Sequence, residues 1–172
     1  MHPERANPSA WSRRGPVVVL ALTGCAIAAY LSLYQLGAVA AVWDPLFGRG
    51  SERILTSFVA RFLPVPDAAL GACVYFVEAV AGVVGGSQRW RTAPWVVLAF
   101  GVLVAGLGLV GVCLVVAQPV LFHTGCTLCL ASAVISFTNA WLARDELLAT
   151  LGYLKQSRTR GHSVWRSMRG AA

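Results

Sequence analysis

Residues 92–143, TAPWVVLAFGVLVAGLGLVGVCLVVAQPVLFHTGCTLCLASAVISFTNAWLA, decide the fold: between Arg91 and Arg144 the chain runs 52 residues without a lysine, arginine, aspartate or glutamate. A helix crosses the hydrocarbon of a bilayer in about 20 residues. The run therefore holds two spans and a turn, and Gln118-Pro119 is the expected break, because proline has no N–H with which to continue a helix. A further 29 uncharged residues separate Arg14 from Asp44, and the apolar stretch 68–86 is interrupted only by Glu78. Four spans are predicted, over residues 17–42, 67–86, 93–117 and 125–143. The first is too long for the roughly 7–15-residue core of a secretory signal. It is read as a retained span, even though Ala38-Val39-Ala40 resembles a cleavage site.

Composition agrees with a membrane chain. Of 172 residues, 57% are hydrophobic and 12% charged, whereas a soluble domain carries about 25% charge. Disorder is excluded on the same ground. The net charge of +7 is unevenly placed. Arg5, Arg13 and Arg14 precede the first span, Arg89 and Arg91 lie between the second and third, and Arg144, Lys155, Arg158, Arg160, Arg166 and Arg169 follow the fourth. These make eleven of the fourteen basic residues. By the positive-inside rule both termini are expected in the cytoplasm of an integral cell (inner) membrane protein, with the 1–2 loop and the 3–4 turn outside. The basic tail is read as a topology signal, with no nucleic-acid partner. The expected division is a cytoplasmic segment 1–15, a four-span domain 16–143 and a basic cytoplasmic tail 144–172. The predicted fold class is all-α: an integral membrane four-helix bundle, with a short amphipathic helix in the outward loop. That helix would be capped by Ser51 and turn Ile54, Leu55, Phe58, Val59 and Phe62 to one face.

Cys126 and Cys129 form Cys-Thr-Leu-Cys in the first turn of the fourth span. Three residues apart, the thiols share a helix face. The positive helix N-terminus stabilises a thiolate, so the pair suits a disulfide that opens readily. Two buried apolar cysteines or a metal site are the alternatives. Zinc takes about four ligands, only His123 lies near, and no metal site is expected. Cys25, Cys73 and Cys113 stand singly in apolar sequence and are read as core. Glu78 is expected to face the bundle interior, as structural glue or a proton relay, with Gln35, Tyr30 or Asn139 as partner. Asp67 after Pro66 reads as a helix N-cap or as a residue of the outer pocket.

With these residues in place, the sequence resembles the vitamin K epoxide reductase family, in its bacterial branch. The resemblance is carried by Cys126/Cys129, by the loop segment Ser51-Glu52-Arg53-Ile54-Leu55-Thr56-Ser57, and by the run from Leu63 through Pro64, Pro66, Asp67, Leu70-Gly71 and Cys73 to Tyr75. It covers residues 16–143. It implies a membrane thiol:quinone oxidoreductase in which Cys126 and Cys129 are catalytic, with Cys129 the sulfur that meets the quinone. Ser57 and Asp67 would bind the cofactor, although relatives usually have asparagine where Asp67 stands. The cofactor would be menaquinone or ubiquinone. The partners would be the lipid bilayer and a thioredoxin-fold or other extracytoplasmic thiol protein. In relatives a pair of loop cysteines relays electrons to the Cys-x-x-Cys; here Trp43 and Ser51 occupy those places. The alternative is therefore a non-catalytic quinone-binding or assembly membrane protein derived from the same family.

Overall fold

The computed structural model describes residues 7–58, 60, 64–160 and 168. Arg5, Val59, Arg61, Phe62, Leu63, Arg166 and Arg169 lie outside the described residues. Among those described, the regular elements are all helices: α1 (Trp11–Gln35), α2 (Gly50–Leu55), α3 (Asp67–Val83), α4 (Arg89–Thr92), α5 (Pro94–Phe122) and α6 (Thr127–Thr159). Two of them, α1 and α5, are long and apolar enough to cross a membrane, with mean hydropathies of 2.1 and 2.7. Helix α3 is only 17 residues long, and α6 carries Arg144, Asp145 and Glu146 in mid-helix.

The boundaries correct the sequence reading in ways that local chemistry explains. Helix α1 ends at Gln35, not residue 42, because Gly37 adopts φ +76°. The Gly37 N–H bonds the Tyr34 carbonyl and the Ala38 N–H bonds that of Leu33, each at 2.9 Å. This paired closure turns the chain although the apolar run continues. Helix α3 stops at Val83, short of the predicted 86. Proline does not break α5, which runs through Pro119 to Phe122. A proline in the last turn removes only one internal bond, and His123, with φ +50°, makes the reversal. Helix α6 continues to Thr159, since charge at Arg144 marks the end of an apolar stretch, not of a helix. The loop helix α2 covers only six residues, Ser51 lies inside it, and Arg49 holds its N-cap position. Ile54 and Leu55 are buried as expected, whereas Phe58 is exposed.

Helix α1 packs on α3 and α6, and α5 packs on α6 and α3. Small residues set the close approaches. A Cβ on Gly24 would come within 2.7 Å of the Tyr75 ring, one on Gly82 within 2.8 Å of Val18, and one on Gly101 within 2.8 Å of Leu147. Cys25 is half-buried, but Cys73 and Cys113 are exposed on the outer faces of their helices, so core packing holds for the first alone.

Polar groups bind the helices internally. The C-terminal carbonyls of any helix lack internal donors and carry partial negative charge. At the end of α3 they receive two guanidinium groups. Arg14 donates to Gly82, Val83, Val84 and Gly85 carbonyls at 2.6–3.0 Å. Arg89 donates to Ala81 and Val84 at 2.6 and 3.0 Å, and pairs both carboxylate oxygens of Glu146 at 2.6 Å. Ser9 completes Glu146 at 2.5 Å. Higher in the bundle, Asn139 donates to Glu78 at 2.8 Å, selecting one of the three expected partners. The Tyr75 hydroxyl meets Ser136 at 2.6 Å and the Ser132 carbonyl at 2.8 Å. Along α6, Cys129, Ser132, Ser136, Asn139, Ala143, Glu146 and Thr150 recur at alternating steps of three and four residues. One stripe thus joins the cysteine pair to the arginine cluster.

Replacing Glu146 with alanine strands the fully buried Arg89 guanidinium, and the expected cost is about 3–5 kcal/mol. Replacing Arg13, whose bridge to Asp145 at 2.7 Å is half exposed, should cost under about 1 kcal/mol. Thermal unfolding in detergent compares the two; equal effects would remove Glu146 from this structural role.

Candidate functional site

The site forms where α5, α6 and the loop after α1 meet. Cys126 is the N-cap of α6, and it forms a disulfide with Cys129, Cα to Cα 5.2 Å. The Cys129 N–H donates to Cys126 Sγ at 3.1 Å. The Cys126 N–H is taken by the buried side chain of Gln118, from the last turn of α5, at 2.8 Å. The two sulfurs have different surroundings. Cys126 is wholly buried, while Cys129 packs inward against the cluster of Leu31, Val42 and Leu55.

The loop is fastened directly to this turn. Asp44 accepts the Ser51 N–H and hydroxyl at 2.9 and 2.7 Å and the Phe47 N–H at 3.1 Å. It also accepts the hydroxyl of Thr127, the residue that follows Cys126. Partial burial alone pushes the Asp44 carboxyl upward, but the bonds from Thr127, Ser51 and Phe47 outweigh this and hold it at about 2. Beside it, a Cβ on Gly50 would overlap the Gly125 carbonyl, and one on Gly125 would meet the Phe47 ring. Both positions therefore require glycine for backbone and ring to approach.

The other sequence-predicted residues fall near, with altered roles. Asp67 is the first helical residue of α3 and Pro66 holds the N-cap position. The Asp67 carboxylate accepts from Gln35 at 2.5 Å and from the Ala68 N–H at 2.9 Å. Gln35 also donates to the Leu55 carbonyl at 3.2 Å. The Ser57 hydroxyl accepts the Ala60 N–H at 3.4 Å. A cavity of about 490 Å³ opens between these segments, lined by Tyr34, Gln35, Leu55, Thr56, Pro64 and Pro66 among others. Ser57 and Asp67 flank it without lining it. Leu55 and Tyr34 line it, and Leu55 also belongs to the cluster with Leu31 and Val42 against which both Tyr34 and Cys129 pack. Trp43, at the place of one missing loop cysteine, is exposed, and Ser51, at the other, is fully buried. Asp44, Thr127, Gln118 and Phe47 had no place in the sequence reading of the site. Their only signal is proximity to Ser51 and the cysteine pair.

Among the described residues, helices alone form the regular structure, two of them long and apolar enough to cross a membrane, and a disulfide sits at a helix N-terminus. The chain matches the vitamin K epoxide reductase family over residues 16–144 and belongs to it, and the family is one of membrane oxidoreductases. No curated protein matches the chain, and no solved structure does.

Asp44 has its carboxyl depressed from 3.8 to about 2, so its contribution to stability is full above pH 3.8 and is lost as pH falls through 2. Replacing Asp44 with asparagine is expected to lower stability by about 1–3 kcal/mol near neutrality, the worth of charged hydrogen bonds. The gap to the unsubstituted protein should close in acid. Unfolding midpoints from pH 2 to pH 7 test this; a gap independent of pH would show that the charge is immaterial.

Proposed function

We propose that the chain is a membrane thiol:quinone oxidoreductase of the vitamin K epoxide reductase type, coupling the Cys126/Cys129 pair to a quinone on the extracytoplasmic side. The reading places α1, α3, α5 and the first half of α6 across the membrane as a four-helix bundle with both termini cytoplasmic. It keeps the division into segment 1–15, domain 16–143 and tail 144–172. The observation that carries it is the Cys126–Cys129 disulfide at the N-terminus of α6, one cysteine fully buried and the other partly buried against the cluster of Leu31, Val42 and Leu55.

The residues have complementary tasks. Closing the disulfide releases two electrons and two protons, which menaquinone or ubiquinone would accept when bound. The α6 N-terminus and the Cys129 N–H favour a thiolate on Cys126 when the pair is reduced. Cys129 is the sulfur toward the cofactor. The 490 Å³ cavity lies in the 300–1,000 Å³ range of small-molecule pockets, and its mixture of apolar walls with Gln35, Tyr34 and Thr56 suits an aromatic ring with carbonyl oxygens. Asp67, through Gln35, and Ser57 would orient the head group. With no loop cysteine pair, the electrons must come from an extracytoplasmic thiol protein that acts on the pair itself.

The test uses protein with Cys25, Cys73 and Cys113 replaced by serine, reduced and then mixed with a short-chain menaquinone or ubiquinone analogue. Thiols are trapped with a mass-tagged maleimide. Quinone should restore the disulfide, and Cys129→Ala should abolish quinone consumption. A pair that stays reduced beside bound quinone would instead favour the non-catalytic alternative. Asp67→Ala should raise the quinone concentration for half-maximal rate about tenfold, or ~1.4 kcal/mol, with less effect on the saturated rate.

A further inference from the structure

The proposed pathway delivers electrons from outside to a disulfide in which Cys126, the N-cap of α6, is fully buried. Cys126 and Ser51 are both fully buried, and the loop carrying Ser51 lies against the start of α6. The hold is built from several contacts, none covalent. Thr127 donates to Asp44, and its oxygen in turn accepts the Leu46 N–H at 3.4 Å. Asp44 clasps Ser51 by N–H and hydroxyl. The Phe47 ring closes on Gly125, and Gly50 abuts the Gly125 carbonyl. The contacts of Asp44, Leu46, Phe47 and Gly50 reach residues 124–127, the turn that presents the cysteines, while the Asp44–Ser51 bonds tie the loop to itself. Where a cysteine could have crossed the loop covalently, Ser51 instead makes two hydrogen bonds to a carboxylate that also holds Thr127, the residue that follows Cys126.

We propose that Asp44 is a positioning residue for electron delivery: it latches the loop over Cys126, and an incoming thiol reaches that sulfur only when the Asp44–Thr127 and Asp44–Ser51 bonds are released. This rests on the reading of Cys126/Cys129 as the redox pair. The latch separates the two half-reactions. Cys129, partly buried, stays available to the cofactor while the fully buried Cys126 is closed to stray thiols. A partner that displaces the loop gains the sulfur.

The experiment reduces the oxidised protein with dithiothreitol. One dithiothreitol thiolate attacks a sulfur of the Cys126–Cys129 bond and forms a mixed disulfide. The other cysteine leaves as a thiolate and takes up a proton. The second dithiothreitol thiol then closes the reagent's ring and frees the first cysteine, so the protein disulfide gains two electrons and the reagent loses two. The appearance of the thiol pair is followed by maleimide mass tagging. Thr127→Val keeps the shape and removes the hydroxyl, and it should speed reduction about tenfold, as should Asp44→Asn and Ser51→Ala, each the loss of roughly one or two hydrogen bonds. Thr127→Ser restores the hydroxyl and should return the rate to that of the unsubstituted protein. In protein that retains Cys25, labelling of this half-buried bundle thiol reports general loosening and should stay slow. The latch is overturned if Thr127→Val is reduced no faster, if Thr127→Ser is as fast as Thr127→Val, or if Cys25 labels in step with the pair. Oxidation by quinone is scored separately. A dithiol that quinone fails to oxidise, with rates still raised by Thr127→Val, sinks the oxidoreductase reading and leaves the latch standing. Quinone oxidation with unaltered reduction rates sinks the latch alone.

Discussion

Two guanidinium groups buried at the C-terminus of α3 organise the fold. Isolated buried charge is prohibitively costly in apolar surroundings, yet Arg14 and Arg89 are both almost wholly enclosed. They are tolerated because the helix end supplies what they need: a set of carbonyls without internal donors, with the helix dipole adding negative potential. Among the described residues, Glu146 adds the only formal counter-charge in hydrogen-bond contact with Arg89. The arrangement draws α1, α3, α4 and α6 to one point, since Arg14 comes from the first, Arg89 from the fourth and Glu146 from the sixth. None of these groups can leave without stranding another. The close glycine contacts along α1, α3 and α5 then become geometrically possible.

At the other end of the chain's long axis the problem is reversed. There the structure holds a disulfide still. It does so with a helix N-terminus, a glutamine from the neighbouring helix on the first cysteine's amide, and an aspartate that keeps its charge. Asp44 has four donors on its two oxygens, enough to saturate a carboxylate in partial burial. The result is a disulfide at the start of α6 with the loop that carries Ser51 fastened beside it. Both ends depend on charged groups held by hydrogen bonds, the arginines donating to carbonyls, Glu146 accepting from Arg89 and Ser9, and Asp44 accepting from amides and hydroxyls, and the apolar helices between them supply burial but little specificity.

Much of this was legible in the sequence, and the exceptions follow a pattern. Uncharged runs disclose where apolar helices lie, so each of the four long helices was anticipated. They do not disclose where a helix ends, because ends are set by local backbone chemistry. Gly37 closes α1 amid apolar sequence, and α6 passes through a charged triplet because Arg144, Asp145 and Glu146 are all compatible with a helix. The Cys-x-x-Cys spacing located the disulfide, and Glu78 demanded a polar partner that proved to be Asn139. Asp44 could not be found in the same way. Its partners lie three, seven and 83 residues away, and only the folded chain brings Thr127 to it. Ser51 was noticed for the wrong reason, as a helix cap, when its hydroxyl is committed to Asp44.

The polar stripe of α6 has a mechanical meaning. Cys129 and Glu146 lie on one face, separated by about 25 Å at 1.5 Å per residue. Glu146 is held by Arg89 and Ser9, and the midpoint is held by Asn139 on Glu78 and by Tyr75 on Ser132 and Ser136. A helix pinned at three levels cannot turn about its own axis. The azimuth of the disulfide is thus referenced to the arginine cluster at the far end, with α6 acting as a torsion shaft. One residue inserted between Ser136 and Asn139 would twist the shaft by about 100°, forcing either the disulfide or the charge cluster out of alignment, while the hydrophobicity of the sequence would hardly change.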